Sequence, residues 1–166
     1  MDAANFKFHH PKGTVFGLIG DKGLRELLLP REETPKIHFL HSAPNITLGR
    51  ELYQALDRYF SGQPEEFKRI PLDLSAGTAF QQSIWKAARA IRWGKTCTYG
   101  ELAQRIGKPA AMRAAGQALG ANPIPILVPC HRILGANGKL TGFSAGMHWK
   151  VELLQLENHA IDDFVL

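Results

Sequence analysis

The sequence predicts an α+β protein. A small N-terminal α/β domain with antiparallel strands spans 1–75, and a mostly helical domain containing a helix-turn-helix spans 76–166. Three observations predict this. Two apolar runs near the N-terminus flank Gly20-Asp21-Lys22-Gly23, a hairpin turn. Two Thr-x-x-Gln/Glu capping boxes open helices in the second half. A polar, proline-broken stretch over 63–74 separates the halves and ends at Ser75-Ala76-Gly77.

Residues 14–19 and 24–29 are the strands of the hairpin. Pro30, Pro35 and Pro44 make 30–45 a loop, with a short strand at 37–40. Leu48, Leu52, Leu56 and Tyr59 recur at helical spacing, so 48–60 is an amphipathic helix ended by Ser61-Gly62. Thr78 and Gln81 start a helix running to about residue 92. Thr98 and Glu101 start a short one reaching residue 106, and Gly107 can stop it in a left-handed conformation. Pro109 suits the first turn of the next helix, 110–119. Helix, glycine turn and helix at this length form a helix-turn-helix pattern. The apolar run Ile124-Pro125-Ile126-Leu127-Val128 reads as a buried segment. Asn137-Gly138 is a tight turn, 141–146 a loop of small residues, and 147–157 the last helix.

At 45% hydrophobic and 21% charged, the composition is that of an ordinary globular chain. No stretch approaches the roughly 18 apolar residues of a membrane span. The N-terminus lacks a basic start and an apolar core, so no secretory signal is expected. Cys97 and Cys130 do not make a disulfide framework, and free thiols point to a cytoplasmic location. Cys and His show no zinc spacing; His38 and His41 read as surface or strand residues. Residues 91–150 carry eight Lys/Arg and one acid, Glu101, a net charge of +7 within a chain of net +5. A concentrated positive field suits a polyanion.

Pro129-Cys130-His131-Arg132 brings a thiol, an imidazole and a guanidinium to the end of the apolar run. Only the thiolate of cysteine attacks, and a neighbouring imidazole can take its proton. The four residues alone equally fit a buried cysteine beside a surface His-Arg pair. Upstream, the second helix of the pair holds only Arg113 and Gln117 among Ala110, Ala111, Met112, Ala114, Ala115, Gly116 and Ala118. A major-groove reader carries more long polar side chains. Close packing explains small residues. So does entry into the minor groove, about 6 Å wide, with Arg113 as a wedge beside an extruded base.

Together these residues resemble the O6-alkylguanine-DNA alkyltransferase family, the methylated-DNA–protein-cysteine methyltransferases. The marks are Phe80-Gln81 with Trp85, Thr98-Tyr99-Gly100, Arg113, Asn122-Pro123, Pro129-Cys130-His131-Arg132, Ser144, and Leu153-Leu154 with Glu157. They span about 78–157; the N-terminal half matches the family's variable domain more weakly. The resemblance implies DNA repair by irreversible, single-turnover transfer of an alkyl group from O6-alkylguanine to Cys130, with O4-alkylthymine as a further substrate class. It implies that His131 is the base, acting through a bound water, and that Glu157 polarises it. Asn122 braces the bend and Tyr99 donates to the leaving guanine. Arg113 fills the gap of the flipped nucleotide, with Ala110, Ala114, Gln117 and Arg132 also on the DNA. The Ser144 N–H bonds O6, and the carbonyls of Cys130 and Ile133 accept from the exocyclic amine. The implied partner is alkylated double-stranded DNA, met by a monomer without cofactor, metal or membrane.

The chain departs from the family's pattern at Phe143, where many members have Tyr, and at Ala145, where many have Gly. The Ala145 methyl is expected to narrow the alkyl pocket. Zinc-binding residues of some N-terminal domains are absent, and Cys97 reads as a buried, inert thiol. Relatives that lack the acceptor cysteine bind alkylated DNA without reacting, and Cys130 argues against that class. Two other readings are a Cys-His hydrolase, which would turn over repeatedly, and a plain helix-turn-helix regulator.

Overall fold

The computed structural model describes residues 3–31, 36–40 and 44–160, with 162 and 164. The chain forms two compact units, Met1–Leu74 and Ser75–Leu166. It is a mixed α/β structure with a small antiparallel sheet and, among the described residues, five α-helices.

In the N-terminal unit β1 (Ala3–Ala4) precedes β2 (Phe6–His10), β3 (Gly13–Gly20) and β4 (Gly23–Leu28). Strands β2, β3 and β4 form an antiparallel meander. Alternation puts Phe6, Phe8, Val15, Ile19, Leu24 and Leu27 in the core and Lys7 and Arg25 outside. Sequence reasoning missed β2, although Phe6-Lys7-Phe8 carries the period-two signal in three residues. Gly23 closes the hairpin at φ +137, where a Cβ would meet the Pro71 carbonyl oxygen at 2.3 Å; no other residue fits. The strand expected at 37–40 is only β5 (His38–Phe39), parallel to β1. His38 is exposed there, and His41 lies outside the described residues. Helix α1 (Ile46–Phe60) starts two residues before the apolar periodicity, because Asn45 caps it by accepting from Leu48 N. It buries Leu48, Leu52, Leu56 and Tyr59, each leucine worth about 1.5–3 kcal/mol.

In the C-terminal unit both capping boxes form, opening α2 (Ala79–Arg89) and, after β6 (Cys97–Thr98), α3 (Tyr99–Arg105). Helix α2 stops three residues short of the expected 92, and the Ile91 carbonyl accepts from Arg132 instead of continuing it. Gly107, at φ +71, turns the chain out of α3. The following helix does not begin at residue 110. Pro109–Ala111 is a 3₁₀ turn, because Ala111 N bonds the Lys108 carbonyl three residues back, and α4 (Met112–Gly120) begins beyond it. Ala115, Ala118 and Leu119 are the buried face of α4. Trp85 Nε1 donates to the Ala118 carbonyl at 2.8 Å and ties α2 to α4.

The apolar run 124–128 is buried but is turn rather than strand, with Ile126 at φ +73. Cys130–Arg132 is a 3₁₀ turn leading into β7 (Ile133–Leu134), which pairs with β6 in parallel. Helix α5 (Met147–Leu156) turns Trp149, Lys150, Leu153 and Leu154 inward.

Candidate active site

Cys130 lies on the wall of a cavity of about 360 Å³ lined also by Tyr99, Gly116, Leu119, Gly142, Phe143 and Ser144. Three segments build it, each shaped by a local rule. The capping box aims Tyr99 from the first turn of α3. Gly116 of α4 faces Tyr99, and a Cβ there would make ordinary contact with the ring at 3.6 Å. The 141–146 loop supplies the third wall.

The bend that presents the thiol is held by Asn122. Its Nδ2 donates to the Val128 carbonyl at 2.8 Å and to Cys130 Sγ at 3.1 Å, and its Oδ1 accepts from Ile124 N at 3.0 Å. One buried amide thus joins both ends of the turn and touches the sulfur.

Behind the cysteine lies a buried charge cluster. Fractional exposure is 0% for His131, 3% for Arg132, 0% for Lys150 and 1% for Glu157. Glu157 Oε1 faces His131 Nε2 at 2.8 Å and accepts from Arg132 Nη2 at 2.9 Å. Its Oε2 accepts from Arg132 Nε at 2.8 Å and from Gly94 N at 3.2 Å. Burial pushes the Glu157 carboxyl up, but His131 and Arg132 together outweigh it and hold it at about 2. Glu157 is therefore ionised and can only accept. Burial lowers His131 below its usual range, against the opposing pull of Glu157, so the ring is neutral at pH 7. A neutral imidazole facing a carboxylate carries its proton on Nε2, which makes Nδ1 the nitrogen with a lone pair to take a proton.

Burial pushes the Cys130 thiol up to about 11, against the Asn122 hydrogen bond and the Lys150 charge. The resting sulfur is therefore a thiol and not a thiolate. Its proton must leave as attack proceeds. Cys97 is buried too, its Sγ donating to the Thr98 carbonyl at 3.3 Å. Burial raises its thiol and Arg105 opposes this.

Arg132 requires a correction. It is no surface residue and cannot reach a phosphate, because a carboxylate and a carbonyl occupy its guanidinium inside the core. His131 is likewise interior, so the reading of a surface His-Arg pair fails. Ala110, Arg113 and Gln117 are exposed and Ala114 half-buried, with Arg113, Ala114 and Gln117 on α4 and Ala110 in the turn before it. Ser144 is exposed on the cavity loop. The Ile133 carbonyl accepts from Lys150 Nζ at 2.6 Å and the Cys130 carbonyl from Ile133 N; each keeps a second lone pair.

Lys150 and Thr141 escaped sequence reasoning. Lys150 Nζ also donates to the Thr141 carbonyl at 3.0 Å, and Thr141 Oγ1 lies 3.0 Å from the Tyr99 hydroxyl. Burial lowers the Lys150 ammonium to about 8. The signal for it was present: Lys150, Leu153 and Leu154 share the apolar stripe of α5. Among the described residues no group of three or more His, Cys, Asp or Glu could hold a metal ion.

A family model described as "6-O-methylguanine DNA methyltransferase, DNA binding domain" matches residues 79–159. A Haemophilus influenzae methylated-DNA–protein-cysteine methyltransferase is 44% identical over 147 residues, covering 89% of this chain and 82% of the relative. One from Methanosarcina mazei is 43% identical over 157 residues, covering 92% and 97%. The crystal structure of Mycobacterium tuberculosis OGT in complex with DNA superposes with a TM-score of 0.78 at 39% identity, covering 93% of this chain and 92% of that one.

Proposed function

Because the chain belongs to the methylated-DNA–protein-cysteine methyltransferase family, we propose that it repairs DNA by moving the alkyl group of O6-alkylguanine irreversibly onto Cys130, once per chain. It is a DNA-binding methyltransferase of DNA repair. The observation that carries the assignment is Cys130 on the cavity wall, 3.1 Å from Asn122 and backed by the His131–Glu157 pair at 2.8 Å. Neither a Cys-His hydrolase nor a DNA-binding regulator gains support, since the full-length relatives are methyltransferases.

The reaction is an SN2 displacement. The sulfur–carbon bond forms as the carbon–O6 bond breaks, and the electron pair leaves on guanine. The thiol proton passes through a water to His131 Nδ1, and ionised Glu157 stabilises the imidazolium at Nε2. Tyr99 and the Ser144 N–H donate hydrogen bonds where charge builds on the leaving base. The carbonyls of Cys130 and Ile133 accept from its exocyclic amine. The thioether has no easy hydrolytic route, so the protein is spent after one event.

Helices α3 and α4 act as a helix-turn-helix that lays α4 in the minor groove. The exposed positions Ala110, Arg113 and Gln117 support this, with two of the three short or neutral and one long cation to replace the flipped base. With Arg132 and Lys150 buried, the exposed Arg92, Lys95, Arg105, Lys108, Arg113 and Lys139 supply the phosphate attraction. Action as a monomer belongs to the same reading. No described helix is long and apolar enough to cross a membrane, and a cytoplasmic location belongs to the same reading.

Intact-mass spectrometry after exposure to O6-methylguanine duplex DNA tests the assignment. One methyl adduct per chain, mapped to Cys130, is the expected result. An adduct on Cys97, several turnovers, or no adduct overturns it. Cys130→Ser should bind DNA without reacting.

A further inference from the structure

One hydroxyl of the cavity loop touches the proposed machinery without lining the cavity. Thr141 Oγ1 lies 3.0 Å from the Tyr99 hydroxyl, and of the two residues only Tyr99 reaches the cavity wall. The threonine is anchored from behind. Its carbonyl accepts from Lys150 Nζ at 3.0 Å, and the same ammonium holds the Ile133 carbonyl at 2.6 Å. Lys150 is fully buried on α5, so the loop residue that meets Tyr99 is tied to the core.

Building on the alkyl transfer proposed above, we infer that Thr141 is a positioning residue for Tyr99. Its hydroxyl aims the phenol at the leaving base and donates to the phenol oxygen while that phenol donates to the base. The polarity follows from counting hydrogens. Each hydroxyl owns one hydrogen and can accept others. At rest either oxygen of the pair can be the donor. Once Tyr99 commits its hydrogen to the base, its oxygen can only accept from Thr141. The chain then runs Thr141 to Tyr99 to base, each link polarising the next as negative charge builds on the departing purine. No proton needs to leave either oxygen; the carbon–O6 bond breaks as the sulfur–carbon bond forms, and the thiol proton goes to His131.

The anchoring makes this testable, because the Lys150 contact uses the Thr141 backbone and survives side-chain substitution. Thr141→Val keeps the shape and removes the hydroxyl, Thr141→Ala removes it with less volume, and Thr141→Ser keeps it. Single-turnover methyl transfer from O6-methylguanine duplex DNA gives the chemical rate at saturating DNA, and a separate titration gives the DNA Kd. Thr141→Val and Thr141→Ala should each slow the chemical step about tenfold, with Kd within twofold of the parent. Thr141→Ser should restore the rate to within twofold. In a Tyr99→Phe background, Thr141→Val should cost nothing further, since the phenol it serves is gone. Parent-like rates in both Val and Ala variants, a change in Kd alone, or the same tenfold loss in the Tyr99→Phe background would each overturn the inference. If the parent chain itself puts no methyl on Cys130, the alkyl-transfer reading falls and takes this inference with it.

Discussion

Replacing Glu157 by Gln should cost about 3–5 kcal/mol of stability and remove at least about 99% of the transfer rate. Two carboxylate oxygens receive four donors: His131 Nε2, Arg132 Nε, Arg132 Nη2 and Gly94 N. Glutamine offers one oxygen and one NH₂. Arg132 donates to both oxygens, so either orientation of the amide sets one of its N–H groups against another. The guanidinium also loses its counter-charge inside the core, and breaking such a buried pair costs about 3–5 kcal/mol. The depressed acidity gives a similar figure. Glu157 lies at about 2 instead of 4.5, worth about 3 kcal/mol to the ionised form. The sign is that of a lowered carboxyl: the stabilisation is full above about pH 4.5 and is lost as pH falls toward 2. The rate suffers separately. An amide N–H turned to His131 Nε2 makes that nitrogen an acceptor, moves the ring proton to Nδ1 and removes the base, typically worth about 100-fold or more. Urea unfolding followed by tryptophan fluorescence gives the stability, and single-turnover transfer gives the rate. A loss below about 1 kcal/mol with a rate within twofold of the parent would refute the reasoning for both the ion cluster and the tautomer.

With His131 as the proposed base, transfer should fall in acid with a midpoint below pH 6.5, because burial holds the ring below its ordinary 6.5. A pH–rate midpoint at or above 6.5 would contradict that. Arg113→Ala should slow repair of duplex DNA roughly 10- to 100-fold while sparing reaction with free O6-benzylguanine, since unstacking a base costs a few kcal/mol and the exposed arginine serves only extrusion. Equal losses on both substrates would place Arg113 in the pocket instead. Ala145 is buried and is not among the residues lining the cavity, whereas the sequence reading has its methyl narrow the alkyl pocket. Ala145→Gly should therefore leave the ratio of benzyl to methyl transfer unchanged; a tenfold gain for benzyl would restore the pocket-narrowing role.

Local rules made much of this protein legible before any coordinates. Capping boxes at Thr78 and Thr98, the left-handed stop at Gly107 and the leucine spacing of α1 are chemistry between residues a few positions apart, so the chain itself displays them. Strand β2 escaped because two phenylalanines around one lysine are too short a pattern to stand out. The 3₁₀ turn at Pro109–Ala111 escaped because proline fits either kind of helical start.

The juxtaposed Cys130 and His131 and the basic block around them were set by the sequence alone, since the two are neighbours and net charge is a count. Tertiary structure decided the roles that depend on burial and on distance across the chain. It turned Arg132 from a surface cation into the internal partner of Glu157, 25 positions away, and so fixed which nitrogen of His131 can take a proton. It raised the Cys130 thiol by withdrawing it from water, and it brought Thr141 against Tyr99 across 42 positions. The physical reason is the same in each case. A titratable group's behaviour is governed by its solvation and by the charges within a few ångströms, and no local pattern in a sequence specifies either.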